Sequence, residues 1–271
     1  MTVSVIIVNR DGGDLIVQCL RSVERKLSSE YEIVVVDNGS SDESVKTISK
    51  LFPRVRVIML GRNAGFAAAN NIGAASAKSD FFLLLNYDTI LLSDLSPALL
   101  LMQNQPEVGI LGARMVSADG KIRLSTGRFP AFIHAFHLSG LYLPIEVHHS
   151  KSSFIVNGWI EGSFMLVRRC LWEQLGGMDD GFFMYFEDVD LCYRAQSEGY
   201  LTVYHPSVCY VHYGGYSQDR MAMLKNGLIR YFGKTRPILI MPIIRFLIEI
   251  AFLLRRIKYI VVGNRYTRCT S

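Results

Sequence analysis

The stretch Phe81-Phe-Leu-Leu-Leu-Asn-Tyr-Asp-Thr89 carries five apolar residues that run directly into Asn86, Tyr87 and Asp88. A short, unbroken apolar run is typical of a strand that is buried on both faces inside a parallel sheet. Such sheets bind ligands beyond the carboxyl ends of their strands. Asp88 is therefore a candidate for contact with a cation and a phosphate. The alternative is an Asp that starts a turn before a helix opening near Ser93.

Three more apolar strands precede this one, with helices between them. The strands are predicted at 3–8, 32–36 and 55–60, and the helices begin near residues 14, 41 and 65. This alternation predicts a doubly wound parallel sheet with right-handed crossovers. The sequence has no GxGxxG after its first strand and no GxxxxGK[ST], which excludes a standard dinucleotide pocket and a P-loop.

Each predicted strand ends in polar or glycine-rich residues, and these ends would meet at one edge of the sheet. They include Asn9 and Arg10, Asp37 and Asn38, Arg62 and Asn63, and Asp88. Backbone amides in glycine-rich turns suit phosphate, and Asp37 suits the N–H of a nucleobase or a ribose hydroxyl. Loop-forming preference alone explains one such end, but four of them favour a nucleotide pocket.

Composition and charge narrow the class of protein. Half of the 271 residues are hydrophobic, so a full core is possible without disulfides. The five cysteines are odd in number, have no CxxC spacing and are interpreted as reduced thiols of a cytosolic chain. Met1 leads directly into a predicted strand, so we expect no secretory signal.

The middle of the chain changes character after Pro106. Residues 108–116 predict a strand that turns back at Ala118-Asp119-Gly120. The long loop that follows contains four histidines, which are interpreted as solvated loop residues because their spacing gives no paired face with an acid. They are His134, His137, His148 and His149. Strand-like sequence then runs from 154 to 169 with a break at 158–163, where Trp159 and Glu161 could line a sugar site. The alternative is a core Trp beside a surface Glu.

A second acidic centre opens the helix predicted from Glu187. Acids at a helix N-terminus are favoured by its dipole, so Glu187 and Asp188 could be simple caps. The aromatic run before them is not needed for capping, and it would hold a carboxylate in a partly dry site where its basicity rises, as a general base requires. Asp190 and Arg194 stand four residues apart and are predicted to pair. His212 ends a later strand and becomes a ligand candidate only if the fold brings it to Asp88.

The C-terminal segment is basic and apolar together. From Lys234 onward there are eight basic residues and one acid, so the rest of the chain carries a net charge of −2 out of the total of +5. The apolar run 238–260 is interrupted by Arg245, Glu249 and further basic residues, which a spanning helix would tolerate poorly. We predict an amphipathic segment, in which Pro242 permits a bend, that lies on an anionic membrane rather than in a nucleic-acid groove. An extra core helix pair or an oligomer contact is the alternative.

Taken together, these pieces resemble the inverting glycosyltransferases of family two, which have the GT-A fold, and within them the rhamnosyltransferase-like members. The resemblance covers roughly residues 2 to 235, and the motifs occur in the family's order. They are Val5-Ile-Ile-Val-Asn9, Val34-Val-Val-Asp37-Asn-Gly-Ser-Ser-Asp42, Asn63-Ala-Gly-Phe-Ala-Ala-Ala-Asn70, Leu84-Leu-Asn-Tyr-Asp88, Gly162-Ser-Phe-Met-Leu-Val-Arg168, Gly176-Gly-Met-Asp179, Phe183-Met-Tyr-Phe-Glu-Asp-Val-Asp-Leu-Cys192 and His212-Tyr-Gly-Gly-Tyr-Ser217.

The resemblance implies a role for each matching site residue. Asp37 would contact the base of a nucleotide-sugar, with Asn9 and Asn63 nearby. Asp88, the last acid of the family's DxD motif, would bind Mg²⁺ or Mn²⁺ with the diphosphate, and His212 would be a further metal ligand. Asp188 would be the catalytic base. The acceptor site is expected at Trp159, Glu161, Gly162 and Glu187. The first DxD acid is Asn86 here, which removes one negative charge from the metal site.

The resemblance implies a GT-A architecture: an α/β domain with a Rossmann-like, mostly parallel sheet flanked by helices. Residues 1–118 would form its nucleotide-sugar-binding half and residues 119–235 its acceptor-binding and catalytic-base half, followed by an amphipathic helical tail at 236–271.

The expected function is transfer of a sugar, with L-rhamnose from dTDP-rhamnose as the best candidate, to a glycan or polyprenyl-diphosphate-linked acceptor in surface polysaccharide synthesis. The protein is expected on the inner face of the membrane, as a monomer or homodimer. The alternative is a non-catalytic protein on the same scaffold that binds a sugar-nucleotide or a glycan.

Overall fold

The computed structural model describes residues 2–131, 152–214 and 220–266, with side chains in the last range described as far as residue 254. The four histidines of the long loop lie outside these ranges, as do the side chains of Arg255, Arg256 and Lys258.

Twelve strands, eight α-helices and a short 3₁₀ helix at Ile238–Ile240 occupy the described ranges. The strands are β1 (Thr2–Asn9), β2 (Glu30–Asp37), β3 (Arg56–Met59), β4 (Phe81–Asn86), β5 (Thr89–Leu91), β6 (Val108–Val116), β7 (Ile122–Arg123), β8 (Thr126–Gly127), β9 (Phe154–Ile155), β10 (Trp159–Ile160), β11 (Phe164–Arg168) and β12 (Leu201–His212). The helices are α1 (Gly13–Lys26), α2 (Ser44–Leu51), α3 (Phe66–Ser76), α4 (Ser96–Asn104), α5 (Arg169–Leu175), α6 (Glu187–Ser197), α7 (Arg220–Thr235) and α8 (Met241–Tyr266).

One large sheet organises the chain, in the order β3-β2-β1-β4-β11-β6-β12-β5. Its first four strands are parallel, as the sequence predicts, and β6 and β12 are also parallel. Strand β11 is antiparallel to both β4 and β6 and joins the two parallel groups. The apolar run of β4 is buried on both faces because strands flank it on each side and helices cover both surfaces.

Helices cover the two faces of the sheet in separate sets. Buried side chains of α1, α2 and α4 pack on one face, and those of α3, α5, α6 and α7 pack on the other. The close approach of α3 is possible because Gly73 faces the sheet, where an added Cβ would lie 2.5 Å from Ile6 Cγ2. The predicted doubly wound α/β arrangement is therefore confirmed, with an antiparallel strand at its centre.

The stretch after Asp88 differs from the prediction. The helix expected near Ser93 begins at Ser96, and the short strand β5 comes first. Residues Thr89 to Leu91 pair with the end of β12, which supplies a ladder partner for their backbone groups. This pairing brings the end of β12 to the end of β4.

The two C-terminal helices pack against the body through a narrow apolar stripe. Ile244 and Ile248 of α8 are buried, and Lys225 of α7 pairs with Glu249 at 3.0 Å. Pro242 is the second residue of α8, a position where its missing N–H costs nothing, and the 3₁₀ helix Ile238–Ile240 directly precedes α8. Within the described ranges, no helix is long and apolar enough to span a bilayer.

Candidate active site

Asp88 and His212 meet at the carboxyl edge of the sheet. Asp88 follows β4 and His212 ends β12, and the β5–β12 pairing places His212 opposite Thr89. As a result, His212 Nε2 lies 3.3 Å from Asp88 Oδ1. Both side chains are largely buried, at 15% and 11% exposure. The sequence left their proximity open, and the structure brings them together.

Glu161 lies on the other side of the same imidazole ring. Its Oε1 is 3.4 Å from His212 Nδ1, so the ring is held between two carboxylates. Burial alone would lower the pKa of His212, but the hydrogen bonds and charges of Asp88 and Glu161 raise that pKa to about 10. Glu161 was predicted to line a sugar site, and its contact with His212 is a feature that the sequence did not indicate.

These residues offer ligands that suit a divalent cation. Carboxylate oxygen and imidazole nitrogen both bind Mn²⁺, and Mg²⁺ prefers oxygen. Asn86 Oδ1 is buried without a hydrogen-bond partner, while Asn86 Nδ2 lies 3.3 Å from His212 Nε2. Among the described residues, no group of three or more His, Cys, Asp or Glu side chains is arranged to hold a metal ion. The fit therefore depends on Asp88, His212 and the unpaired amide oxygen of Asn86.

Asp188 lies at the start of α6 and faces the same cluster. Its Oδ2 accepts the backbone N–H of Gly162 at 3.0 Å, and its Oδ1 accepts the N–H of Val189 at 2.8 Å. Burial raises the pKa of Asp188 to about 6, the two N–H groups work against this rise, and the charge of Glu161 adds to it. Glu161 thus touches His212 and acts electrostatically on Asp188, so the two acidic centres share one site.

Glu187 precedes Asp188 and is more deeply buried, at 5% exposure. Burial and the neighbouring charge of Asp188 raise the pKa of Glu187 well above its ordinary value. Its Oε2 has no hydrogen-bond partner within the described structure. Burial therefore favours the neutral form of Glu187, while a pKa of about 6 leaves Asp188 mostly ionised at neutral pH.

The other strand ends form a connected polar network. Asn9 Nδ2 donates to Asp37 Oδ1 at 3.1 Å, and Asn38 Nδ2 donates to Asn63 Oδ1 at 2.9 Å. Asp37 is only 2% exposed and also accepts the N–H of Ser40 at 3.2 Å. The amides of Asn9, Asn38 and Asn63 thus connect the neighbouring strand ends, and their contact with a ligand stays a prediction.

Two arginines and a loop acid complete this edge. Arg10 and Arg62 are exposed at the ends of β1 and β3, where the sequence placed them. Asp11, which the sequence did not single out, accepts the backbone N–H of Ser41 at 2.6 Å and joins the first loop to the second. Asp11 has a positive φ of 51°, a conformation that Asp tolerates, so the residue type alone did not indicate this role.

Two predicted acceptor residues, Trp159 and Gly162, are both buried. Trp159 is 4% exposed and its indole N–H donates to Arg128 O at 3.0 Å, which favours the interpretation as a core residue. Gly162 lies between the Phe66 ring and Asp188, where an added Cβ would be 3.2 Å from Phe66 Cε1. Gly162 therefore contributes to the site through its backbone N–H.

Comparison with known proteins gives one consistent result. The model of the family described as glycosyl transferase family 2 matches residues 4–193. The chain is 29% identical over 239 residues to an N-acetylglucosaminyl-diphospho-decaprenol L-rhamnosyltransferase of Mycobacterium tuberculosis, covering 80% of this chain and 77% of the relative. It is 31% identical over 223 residues to the rhamnosyltransferase WbbL of Escherichia coli K12, covering 78% and 83%.

Solved structures agree on the fold. A mannosyltransferase from Pyrobaculum calidifontis, in complex with GDP-Man and Mn²⁺, superposes with a TM-score of 0.61 at 19% identity, over 90% of this chain and 69% of the other. The enzyme GalNAc-T7, with UDP, GalNAc and Mn²⁺, gives a TM-score of 0.67 at 16% identity, over 97% and 57%.

The substitution Asp188→Asn is expected to raise the free energy of unfolding at pH 7.5 by about 1–3 kcal/mol, since a pKa raised to about 6 corresponds to a cost of that order for the ionised form. The folded state binds this proton more tightly than the unfolded chain does. The cost is therefore present above the folded pKa and fades as the pH falls toward 4. Urea unfolding at pH 7.5 and pH 4.5 measures both values.

Asp190→Asn is the matched control for this stability measurement. The Asp190 carboxylate is 1% exposed and held by Arg194 at 2.7 Å and Lys234 at 2.6 Å, so its loss should destabilise the protein. The expected electrostatic cost would be contradicted if Asp188→Asn raised the free energy of unfolding equally at both pH values, or lowered it at pH 7.5.

Proposed function

The chain belongs to glycosyl transferase family 2, and on this basis we propose that it is an inverting, metal-dependent enzyme that transfers L-rhamnose from dTDP-rhamnose. The proposed acceptor is a glycan linked to a polyprenyl diphosphate, as in surface polysaccharide synthesis. The choice of sugar and acceptor is supported by the names of the relatives, two of which are rhamnosyltransferases of similar length. The relative from M. tuberculosis is named for a lipid-diphosphate-linked acceptor.

One observation carries the catalytic proposal: the two predicted cation ligands and a carboxylate of raised pKa share a single site. Asp88 and His212 lie 3.3 Å apart, and Glu161 links that pair to Asp188. Glycosyl transfer needs charge neutralisation at the leaving diphosphate and proton removal from the acceptor hydroxyl. The two halves of this requirement correspond to the two acidic centres.

Asp88, His212 and Asn86 would hold Mg²⁺ or Mn²⁺, which supplies Lewis-acid neutralisation of the departing nucleoside diphosphate. Use of a divalent ion is supported by the Mn²⁺ in two solved structures of the same fold. Asn86 contributes a neutral oxygen in place of an acid, so the site carries one negative charge fewer. Glu161 would orient the His212 ring from the far side, as carboxylates do for metal-bound imidazoles.

Asp188 would act as the general base. It takes the proton of the acceptor hydroxyl while that oxygen bonds to the anomeric carbon and the bond from that carbon to the diphosphate breaks. Attack opposite the leaving group inverts the anomeric centre. A pKa of about 6 keeps the carboxylate ionised at neutral pH yet more basic than an exposed Asp.

The nucleotide would occupy the edge formed by the first three strand ends. We propose that Asp37 and its network with Asn9 and Asn38 receive the base and ribose. Arg10 and Arg62, both exposed there, would meet the diphosphate. Trp159, Gly162 and Glu187 remain predicted residues of the acceptor site. Because Trp159 is buried, it would support the site without contacting the acceptor directly.

Asp188→Asn should lower kcat by about 10²–10⁴-fold, the usual contribution of a general base, and leave donor affinity unchanged. Transfer from dTDP-rhamnose to a synthetic N-acetylglucosaminyl-diphospho-lipid measures the rate, and calorimetry measures donor binding. Glu107→Gln is the control, because Glu107 is exposed and precedes β6 at the opposite edge of the sheet. Parent-like transfer by Asp188→Asn would remove Asp188 from this role. Donor binding without any transfer by the parent would favour the non-catalytic alternative.

Asp88→Ala should weaken Mn²⁺-dependent donor binding at least about tenfold, since a hard cation loses its charged oxygen ligand. Calorimetric titration of dTDP-rhamnose with and without Mn²⁺ gives the difference, and Glu107→Ala provides the matched loss of one surface acid. The same Mn²⁺ dependence in the Asp88 variant and the parent would contradict the proposed cation site.

We also propose that the C-terminal helices hold the enzyme on the inner face of the membrane, as a lipid-linked acceptor would require. The proposal is supported by a row of exposed apolar side chains beside basic residues. Ile238, Leu239 and Phe246 are 83%, 87% and 63% exposed, and Arg236 and Arg245 are near them in sequence. An apolar face with basic flanks favours an anionic bilayer surface. A second copy of the chain is the competing occupant.

Replacing Ile238, Leu239 and Phe246 together by Asn should abolish co-sedimentation with vesicles that contain anionic lipid. The packing of α8 on α7 should survive, because Ile244 and Ile248 are untouched. Three Asn substitutions at exposed apolar residues elsewhere, Leu51, Met59 and Ile155, provide the control. Unchanged sedimentation would exclude the membrane role, and a dimer-to-monomer change in light scattering would assign the face to a second copy.

A further inference from the structure

The loop that leads into the predicted base has an unusual backbone. This segment, residues 179–186 and named the base loop here, ends with Tyr185 and Phe186 in the left-handed region, at φ values of 71° and 75°. Non-glycine residues seldom adopt that conformation, and they keep it only where the surroundings fix it. Asp188 comes two residues after Phe186, so whatever fixes these two residues also sets the position of its carboxylate.

The start of α3 holds one side of the base loop. The N–H of Phe66 donates to Phe183 O at 2.8 Å. Gly65, which precedes it at φ 90°, allows this approach, because an added Cβ would lie 2.5 Å from Phe183 O. This contact fixes the loop at Phe183, before the two left-handed residues. Tyr185 and Phe186 themselves are contacted by another element.

Helix α7 occupies that other side. Gly227 lies directly against the strained peptide: an added Cβ would be 2.5 Å from Tyr185 O and 3.0 Å from the Phe186 ring. Tyr231, one turn later, packs its ring against Phe186 with centroids 6.1 Å apart. The backbone of the base loop therefore rests on α7 at a glycine, where no side chain separates the two backbones.

Charged groups tie the same helix to both ends of the loop. Arg230 donates to both carboxylate oxygens of Asp179, at 2.6 Å and 3.2 Å, and stacks over the Phe182 ring at 5.3 Å. Lys234 bridges Asp179 at 2.8 Å and Asp190 of α6 at 2.6 Å. Asp190 is 1% exposed, so the bridge ends on a buried carboxylate, and it joins α7 to the helix that carries Asp188.

We propose that α7 positions the base: Gly227 and Arg230 are positioning residues that hold the left-handed turn at Tyr185 and Phe186 and thereby set where Asp188 meets the acceptor hydroxyl. This inference rests on the proposed role of Asp188. The residues of α7 belong to no predicted substrate contact, and the family match ends at residue 193. The C-terminal helices thus contribute to catalysis by geometry.

Gly227→Ala and Gly233→Ala form a matched pair for the test. Both substitutions add the same methyl group to α7 and raise helix propensity equally. The methyl at 227 collides with the backbone at Tyr185, whereas at 233 the nearest atom is Met241 Cε at 3.9 Å. A displaced base is expected to lower kcat by about 10²-fold in Gly227→Ala, since misplacement of about 1 Å has that effect. KM for dTDP-rhamnose should stay within about twofold of the parent value, because the donor pocket is untouched. Gly233→Ala should match the parent in both constants.

Arg230 provides a second, independent variant. Arg230→Met should lower kcat without changing KM for the donor, and Arg230→Lys should restore part of the loss by keeping a cation beside Asp179. Backbone amides of residues 179–192 should exchange hydrogen faster in Gly227→Ala and Arg230→Met than in Gly233→Ala. Exchange at residues 30–42, which belong to the proposed nucleotide site, should be unchanged. Binding of dTDP-rhamnose, measured by calorimetry, tests whether each variant is folded.

Asp188→Asn in the same transfer assay separates this inference from the proposed function. If Asp188→Asn transfers at the parental rate, the assignment of the base is wrong, and the positioning role is overturned with it. If Asp188→Asn is slow but Gly227→Ala keeps the parental kcat, only the positioning role is overturned. Loss of donor binding in both Gly227→Ala and Arg230→Met would also overturn it, because α7 would then support the whole fold instead of the base.

Discussion

The placement of His212 between two carboxylates is the contact on which the whole site depends. Asp88 and Glu161 lie 3.3 and 3.4 Å from the two ring nitrogens, and the three residues come from distant parts of the chain. The contact requires β12 to run the full length of the sheet and β5 to turn back beside it. Without that pairing, the acid after β4 would face solvent as an ordinary turn residue.

Concentrating acids in one partly buried site has an energetic consequence. Asp88, Glu161, Glu187 and Asp188 are close enough for their charges to influence the common site, either directly or through His212. The structure limits the repulsion in two ways: Asp88 and Glu161 raise the pKa of His212, which favours its charged form, and burial raises the pKa of Glu187, which favours its neutral form. Asp188 is left as the acid whose ionisation is poised near neutrality. Functional sites commonly hold such energetically unfavourable arrangements, which the rest of the fold must offset.

Much of this architecture could be predicted from the sequence. The strands up to β4 and the buried run of residues 81–85 follow from local apolar patterns, and so do the Asp190–Arg194 pair and the strand at Val108–Val116. The contact of His212 with Asp88 could not, because it arises from the pairing of three residues, Thr89 to Leu91, whose pattern is too short to indicate a strand. For Trp159, local pattern does not distinguish a buried ring from an exposed one. The left-handed turn at Tyr185 and Phe186 is set by tertiary contacts, since neither residue favours it.

Glu161 and Gly162 are neighbours in the chain, yet they serve opposite ends of the site. The carboxylate of the first touches the His212 ring, and the N–H of the second binds Asp188. A single peptide plane therefore transmits any displacement from one centre to the other. Under the proposed roles, exchanging residues 159–162 to accommodate a different acceptor would also alter the affinity for the cation. Acceptor choice and cation affinity would then be linked design variables in this scaffold.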